Sequence, residues 1–279
     1  MKNDQTLKLT LLQAGYTTAP EAMILRGESW RKMTIPALFA LLEHPRLGPI
    51  LFDTGYSPRF LAETRRWPYW LYAKMTPVFI RAEETAAAQL QRRGIRPADI
   101  ERVIVSHFHV DHIGGLADFP RAQFIFYADA FQPKTGLAAV KAGFLPGHLP
   151  ADFAGRAAPV DPAQAIGLPP ETAPFARGVD LLGDGSLLAV RLPGHAVGQM
   201  GLFLQAEGLG PVFLCADACW HSRAFRELIF PHPLLNHLLH PDPAAYHQSI
   251  RRIHQLHQRR PELHIIPSHC PEAAQQYCQ

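Results

Sequence analysis

Between residues 103 and 115 the chain reads VIVSHFHVDHIGG, which sets His107, His109, Asp111 and His112 within six positions. Alternate side chains of an extended segment point the same way, so His107 and His109 can grip one cation. Asp111 and His112, past the bend, are free to turn toward a second. Neutral imidazole and carboxylate are the donors zinc takes in catalytic sites that keep one position open for water. Gly114 and Gly115 allow the backbone to fold back tightly. A bare His-x-His would read as a polar surface turn. The full His-x-His-x-Asp-His, after an apolar strand and before two glycines, reads as a metal site.

Three further donors stand at the tips of apolar strands: His195 after LLAVRLPG, Asp217 after VFLCA and His269 after HIIPS. Any one of them alone would read as a packed or surface residue. Three suitable donors in the same kind of place make a shared metal centre the better reading, since a hydrolytic site draws ligands from separate strands.

The elements that must carry these side chains are legible from periodicity. Strands are predicted over 7–15, 37–44, 48–56, 102–106, 122–129, 186–195, 200–208, 210–218 and 263–270, apolar or alternating runs bounded by turn residues. A helix over 83–93 stops at Gly94. Another over 242–260 takes Asp242 as its N-cap and Pro243 as its first residue, with Tyr246, Ile250, Ile253 and Leu256 on one face. From Phe131 to Arg177 the chain is rich in Pro, Ala and Gly without a clear period, which fits a functional loop or lid better than core. GPILFDTG and GPVFLCAD echo one another: Gly-Pro, an apolar strand, then a late Asp. The echo suggests two halves built alike.

Composition sets the outer bounds. The 279 residues are 47% hydrophobic and 18% charged, far from a disordered composition and enough for one large domain over 1–279. A formal charge of +3 without a basic run points away from nucleic acid. No apolar stretch is long enough to span a bilayer, and MKNDQTLKLTLLQAGY lacks the apolar core of a secretory signal. Cys215, Cys219, Cys270 and Cys278 have no CxxC spacing and read as reduced thiols. A cytoplasmic location is the expectation.

The order HxHxDH, then His195, Asp217 and His269, resembles the metal-site pattern of the metallo-β-lactamase superfamily, over a span from about Ile50 to His269. The resemblance implies an α/β fold, a four-layer αβ/βα sandwich with metals along one edge. It implies that His107, His109 and His195 hold a first zinc, that Asp111, His112 and His269 hold a second, and that Asp217 bridges them. Iron, manganese or cobalt would suit the same donors. Asp53 in FDTG matches a family position behind the ligand loop, where it would fix an imidazole's orientation; it reads equally well as a strand-terminating turn residue. Two such cations lower the pKa of a shared water to roughly 7, so metal-bound hydroxide can attack without a serine or cysteine nucleophile.

Within that superfamily the chain looks most like the N-acyl-homoserine lactonases. This implies a dinuclear zinc hydrolase acting on a small lactone or ester with an apolar portion, with Asp111 and Asp217 catalytic through the metals. Those lactonases carry a tyrosine three residues after the bridging aspartate, and here Trp220 stands in that place. Indole donates one hydrogen bond but is no proton acid. His221 either replaces the tyrosine or is an ordinary loop histidine. Segments 56–80, 131–177 and 219–239 read as insertions; the first and last are rich in apolar and aromatic residues. They would pack as core, as a homodimer contact, or as apolar lids beside the metals. A thioesterase or other acyl hydrolase would use the same site. A metal-dependent oxidoreductase of the same fold is the other class, but His112 and His269 complete a two-metal rather than a one-iron set.

Overall fold

The computed structural model describes residues 6–233, 236 and 240–278. A first sheet runs in chain order through β1 (Thr6–Pro20), β2 (Lys32–His44), β3 (Gly48–Phe52), β4 (Arg102–Ile104), β5 (Gln123–Tyr127) and β6 (Ala157–Val160). Its first two joins are antiparallel and the rest parallel. A second sheet runs through β7 (Arg177–Asp180), β8 (Leu188–Arg191), β9 (Met200–Ala206), β10 (Gly210–Ala216) and β11 (His264–Pro267). Only its β10–β11 join is parallel. The sheets meet where β1 runs parallel to β9, pairing Thr6 with Gln205 and Leu7 with Ala206.

The period of two along each strand sorts side chains into layers. Leu38, Ala40, Ile50, Phe52, Ile104 and Ile125 point to one side, where they join Leu202, Leu204, Val212, Leu214 and Ile266 of the second sheet. Phe39, Leu41, Leu51, Val103 and Phe124 point to the other side, against helices α1 (Ala86–Arg92) and α2 (Val110–Ile113). On the far face of the second sheet, Phe203, Phe213, Cys215 and Ile265 meet α4 (Ser222–Arg226) and α5 (Pro243–Arg259). A short α3 (Gly136–Lys141) also packs on the first sheet's outer face through Ala139. Three apolar interfaces between four layers are the αβ/βα sandwich expected.

Helix α5 forms as the sequence predicts. The Asp242 carboxylate accepts from Ala245 N at 3.0 Å and caps the first turn. Tyr246, Ile250, Ile253 and Leu256 are all buried on one face, each worth roughly 1.5–3 kcal/mol relative to exposure. The helix predicted from 83 starts later as an α-helix, because Thr85 caps it by accepting from Ala88 N; a 3₁₀ turn, Ala82–Glu84, precedes it. The 131–177 stretch is not structureless. It supplies α3 and the parallel edge strand β6, whose sequence AAPV is too short and too proline-bearing to show a period.

All four cysteines are free thiols, and Cys215, Cys219 and Cys270 are buried. No helix among the described residues is long and apolar enough to cross a membrane. Of the 219–239 segment, Leu234, Leu235, His237, Leu238 and Leu239 lie outside the described residues.

Candidate metal centre

The seven donors reach one edge of the sandwich from four loops or strand ends. His107, His109, Asp111 and His112 follow β4 and run into α2, while Asp217 and His269 follow β10 and β11. His195 stands four residues past the end of β8. They assemble into three overlapping sets, each with donor atoms within 4.8 Å of one another: His107, His109 and His195; Asp111, His112 and His269; and His107, His112 and Asp217. The first two sets match the two groupings implied by the sequence pattern, and the third joins them through Asp217.

Four of the five imidazoles are oriented from behind, while His109 Nδ1 meets His195 Nε2 at 2.9 Å. Asp53 is fully buried; its Oδ1 accepts from Ser106 N and its Oδ2 from Ser106 Oγ and His112 Nδ1, all at 2.8 Å. That leaves His112 Nε2 facing Asp217 Oδ1 at 3.2 Å. His107 Nδ1 lies 3.0 Å from Ser106 Oγ. His269 Nδ1 donates to the Pro36 carbonyl at 2.7 Å and turns Nε2 toward Asp217 at 2.9 Å and Asp111 at 3.2 Å. Of the two readings of Asp53, the structure therefore favours support behind the ligands. His195 presents Nε2 to Asp217 at 3.2 Å, and its Nδ1 meets His240 Nδ1 at 3.1 Å.

The glycines after the loop act differently from the reading above. Gly114 has an ordinary helical φ of −57°. A Cβ there would meet the Gly55 carbonyl oxygen at 2.4 Å, so close approach to FDTG is what excludes a side chain. The positive φ belongs instead to Gly143, at 62°, where a Cβ would stand 2.8 Å from the His109 ring. The Gly143 carbonyl also accepts from Val110 N at 3.0 Å, which seats the 131–177 stretch directly on the ligand loop.

Electrostatics divide the imidazoles. Burial drives His107, His109 and His195 down, His109 to about 4, so they are neutral with lone pairs available. Burial also opposes charge on His112 and His269, but the Asp217 carboxylate, helped by Asp111, outweighs it. It raises both and pushes His269 up to about 10. Asp217 is held well below the usual carboxylate range despite its burial, by His269, His112 and His195. The pocket favours positive charge beside its carboxylates.

Metal ions fit this donor set. His107 Nε2 is buried without a hydrogen-bond partner, and His112 Nε2 and Asp217 Oδ1 are buried with only each other, as an ion pair at 3.2 Å. Unpartnered buried polar atoms are costly, and these three residues form the set that joins the other two.

Around the donors, Trp220 takes the place predicted for it. Its Nε1–H donates to Asp217 Oδ2 at 3.0 Å, and its ring lies 5.5 Å from His269 and 5.8 Å from His195. His221 does not join the seven. Its Nδ1 accepts from Arg223 N at 3.2 Å as the cap of α4, and it groups with Cys270 and Glu272. A short helix starting at Ser222 takes the ring as its cap through Nδ1, in keeping with the loop-histidine alternative of the two readings. Tyr56 and Tyr72, within the aromatic 56–80 segment, sit close enough for the Asp111 charge to act on both. Burial first, then that charge, raises each phenol well above its ordinary value, so both hydroxyls stay protonated. His240 carried no motif at all and emerges only through its stack on Tyr246, 3.7 Å between ring centres, and its contact with His195.

Segments 56–80 and 131–177 are tied to one another. Glu63 accepts from Gly147 N at 2.9 Å and pairs with His148 Nδ1 at 3.1 Å, and Tyr69 Oη accepts from Gly136 N at 3.3 Å.

Fold and site together define a metallohydrolase, and the sequence match agrees: residues 40–210 fit the metallo-β-lactamase superfamily model, so the chain belongs to that superfamily. It is a metal-dependent hydrolase. The N-acyl homoserine lactonase AttM of Azorhizobium caulinodans is 29% identical over 280 aligned residues, covering 96% of this chain and 94% of that protein. A solved N-acyl homoserine lactone hydrolase with the product N-hexanoyl-L-homoserine bound at the catalytic metal center superposes with a TM-score of 0.68. Its identity is 21%, with 98% of this chain and 97% of that one covered. The dizinc quorum-quenching lactonase AidC superposes at 0.61, with 17% identity and coverage of 96% and 92%.

Proposed function

We propose that this chain is a dinuclear zinc hydrolase that opens lactones or esters with an apolar portion. The observation that carries the reading is the convergence of all seven donors, with the His107 Nε2 atom buried and unpartnered at the junction of the two sets. His107, His109 and His195 would hold one ion, Asp111, His112 and His269 the other, and Asp217 both. When bound, the pair supplies Lewis acidity and a nucleophile formed at neutral pH.

The chain's own groups do the rest. Asp53 and the Pro36 carbonyl fix the His112 and His269 rings, so the donors need no reorganisation. Trp220 holds Asp217 by one hydrogen bond and walls the pocket from water. The protonated Tyr56 and Tyr72 hydroxyls beside Asp111 are available to donate to a carbonyl or leaving oxygen. Segments 56–80 and 219–239 thus serve as walls that limit access. With tryptophan at 220, alkoxide leaving groups are favoured, because an amide nitrogen depends far more on a proton donor. The likeness to AttM supports the lactone side of the reading.

Purified, metal-loaded protein assayed against lactones, esters, thioesters and amides tests it. Lactones or esters should be cleaved at least about a hundredfold faster than matched amides, and a chelator should abolish the activity. Full activity after metal removal, or faster amide cleavage, would overturn it. Cleavage of acyl thioesters but not lactones would shift the substrate to the thioesterase alternative.

A further inference from the structure

Six of the seven donors are buried, and His109 alone is partly open. It opens onto a cavity of about 510 Å³. Phe108, Phe131, Phe144 and Val197 give this cavity an apolar lining, and His240 borders it, so it adjoins both His109 and the partner of His195. Its volume falls in the range of small-molecule sites. Another cavity, about 560 Å³ beside Pro169, Phe203 and Arg260, is lined by none of the seven donors.

The polar side chains of the cavity are unusual for a groove that takes a plain acyl chain. Lys134 and Lys141 both line it, and no carboxylate does. Among the described residues neither lysine has a hydrogen bond, an ion pair or a ring contact. Lys8 and Lys74, by contrast, are engaged by Glu43 at 2.7 Å and by the Trp70 ring at 4.4 Å. Lys134 is half-buried and Lys141 exposed at the rim, and between them and the apolar walls the only other polar side chains of the lining are Gln132, His109 and His240. A neutral chain filling that groove would displace water from the half-buried Lys134 and give it nothing in return.

We propose that this cavity receives the non-reacting, apolar part of the substrate, and that Lys134 and Lys141 select substrates whose apolar part bears a carboxylate. The inference rests on the lactone or ester reading and narrows its substrate class to anionic acyl compounds. Each lysine contributes a modest, solvent-screened ion pair. The expected preference over a neutral analogue of equal length is therefore about three- to tenfold, and it shrinks with salt.

The test compares the metal-loaded full chain on two nitrophenyl esters, the monoester of decanedioic acid and the ester of decanoic acid. The anionic ester should show a kcat/KM about three- to tenfold higher at low ionic strength, with the ratio falling toward one near about 0.5 M salt. In Lys134→Met/Lys141→Met the ratio should collapse to about one. A wild-type ratio near one, or a ratio that survives the double substitution, overturns the inference while leaving the hydrolase reading intact. Failure to cleave either ester counts against that reading instead. Calorimetry with decanedioate and decanoate then decides the inference, since both offer one carboxylate to the metals and only decanedioate has a second. Tighter decanedioate binding that the double substitution removes supports it, and equal binding overturns it.

Discussion

The two strand ends that carry aspartates, FDTG after β3 and CAD at the end of β10, start alike and finish two residues apart. Asp53 comes five residues after Gly48, and Asp217 comes seven after Gly210. A difference of two keeps the side chain on the same side of the pleat and carries it about 7 Å further along. Asp53 therefore stops behind the ligand loop, where Ser106 and His112 satisfy it. Asp217 reaches past, to the Nε2 atoms of His112, His195 and His269. Both chains turn out of the strand through a non-glycine residue at positive φ, Asp53 itself at 61° and Ala216 at 47°. Such conformations cost of order 1–3 kcal/mol and persist where surroundings enforce them. One residue type thus becomes donor or supporter according to reach alone.

The comparison is easiest to break at its far end. Asp217→Ala should lose metal and hydrolysis together, by roughly 10³-fold or more in rate, as read by metal analysis alongside turnover. Retention of both would reduce Asp217 to a second Asp53. Asp53→Ala should weaken metal affinity or activity by about 10- to 100-fold, the range for groups that orient ligands. An effect as large as that of Asp217→Ala would erase the distinction.

Protons sharpen the contrast. In the metal-free protein Asp217 and Asp111 push His269 up to about 10. Below that pH a metal must displace its proton, so affinity should fall as pH drops, by about tenfold per unit for each proton displaced. The sign for the metal-free fold is the reverse of a carboxylate's: the stabilisation is fully present below about 6.5 and is lost as pH rises through about 10. Metal titrations at several pH values would show a flat affinity only if neither His112 nor His269 gave up a proton to the metal. His240→Ala should cost about tenfold in metal affinity by freeing the His195 Nδ1 side, and His240→Asn, which keeps an acceptor, should recover part of it. Smallest of all, Trp220→Phe removes one hydrogen bond to Asp217 and should change kcat by about threefold; an unchanged kcat would make the indole a wall and nothing more.

Legibility in the sequence followed the same rule of distance. The ligand loop was readable because four donors fall within one turn of chain, and His195, Asp217 and His269 because each closes an apolar run. The strands were readable from apolar and alternating runs, the four layers only through the family resemblance, and α5 from its cap and stripe. Asp53 stayed ambiguous because an aspartate that ends a strand looks the same whether or not a histidine lies behind it. His240, Tyr56 and Tyr72 carry no local pattern; only the packing of separate insertions brings them to the metals. His221 stayed open between two readings because adjacency to Trp220 in the chain says nothing about which way a capping ring turns.

The glycine at 143 has a thermodynamic consequence. Because its bare Cα rests against the His109 ring and its carbonyl holds the ligand loop, the 131–177 stretch and the His109 rotamer cannot vary independently. Occupation of the metal centre and closure of that stretch are then reciprocally linked: whatever free energy one lends the other is returned in equal measure. Metal would slow proteolysis across 131–177, and cutting that stretch would loosen metal by the same factor. The segment that looked like a lid over the substrate is also a clasp on the cation.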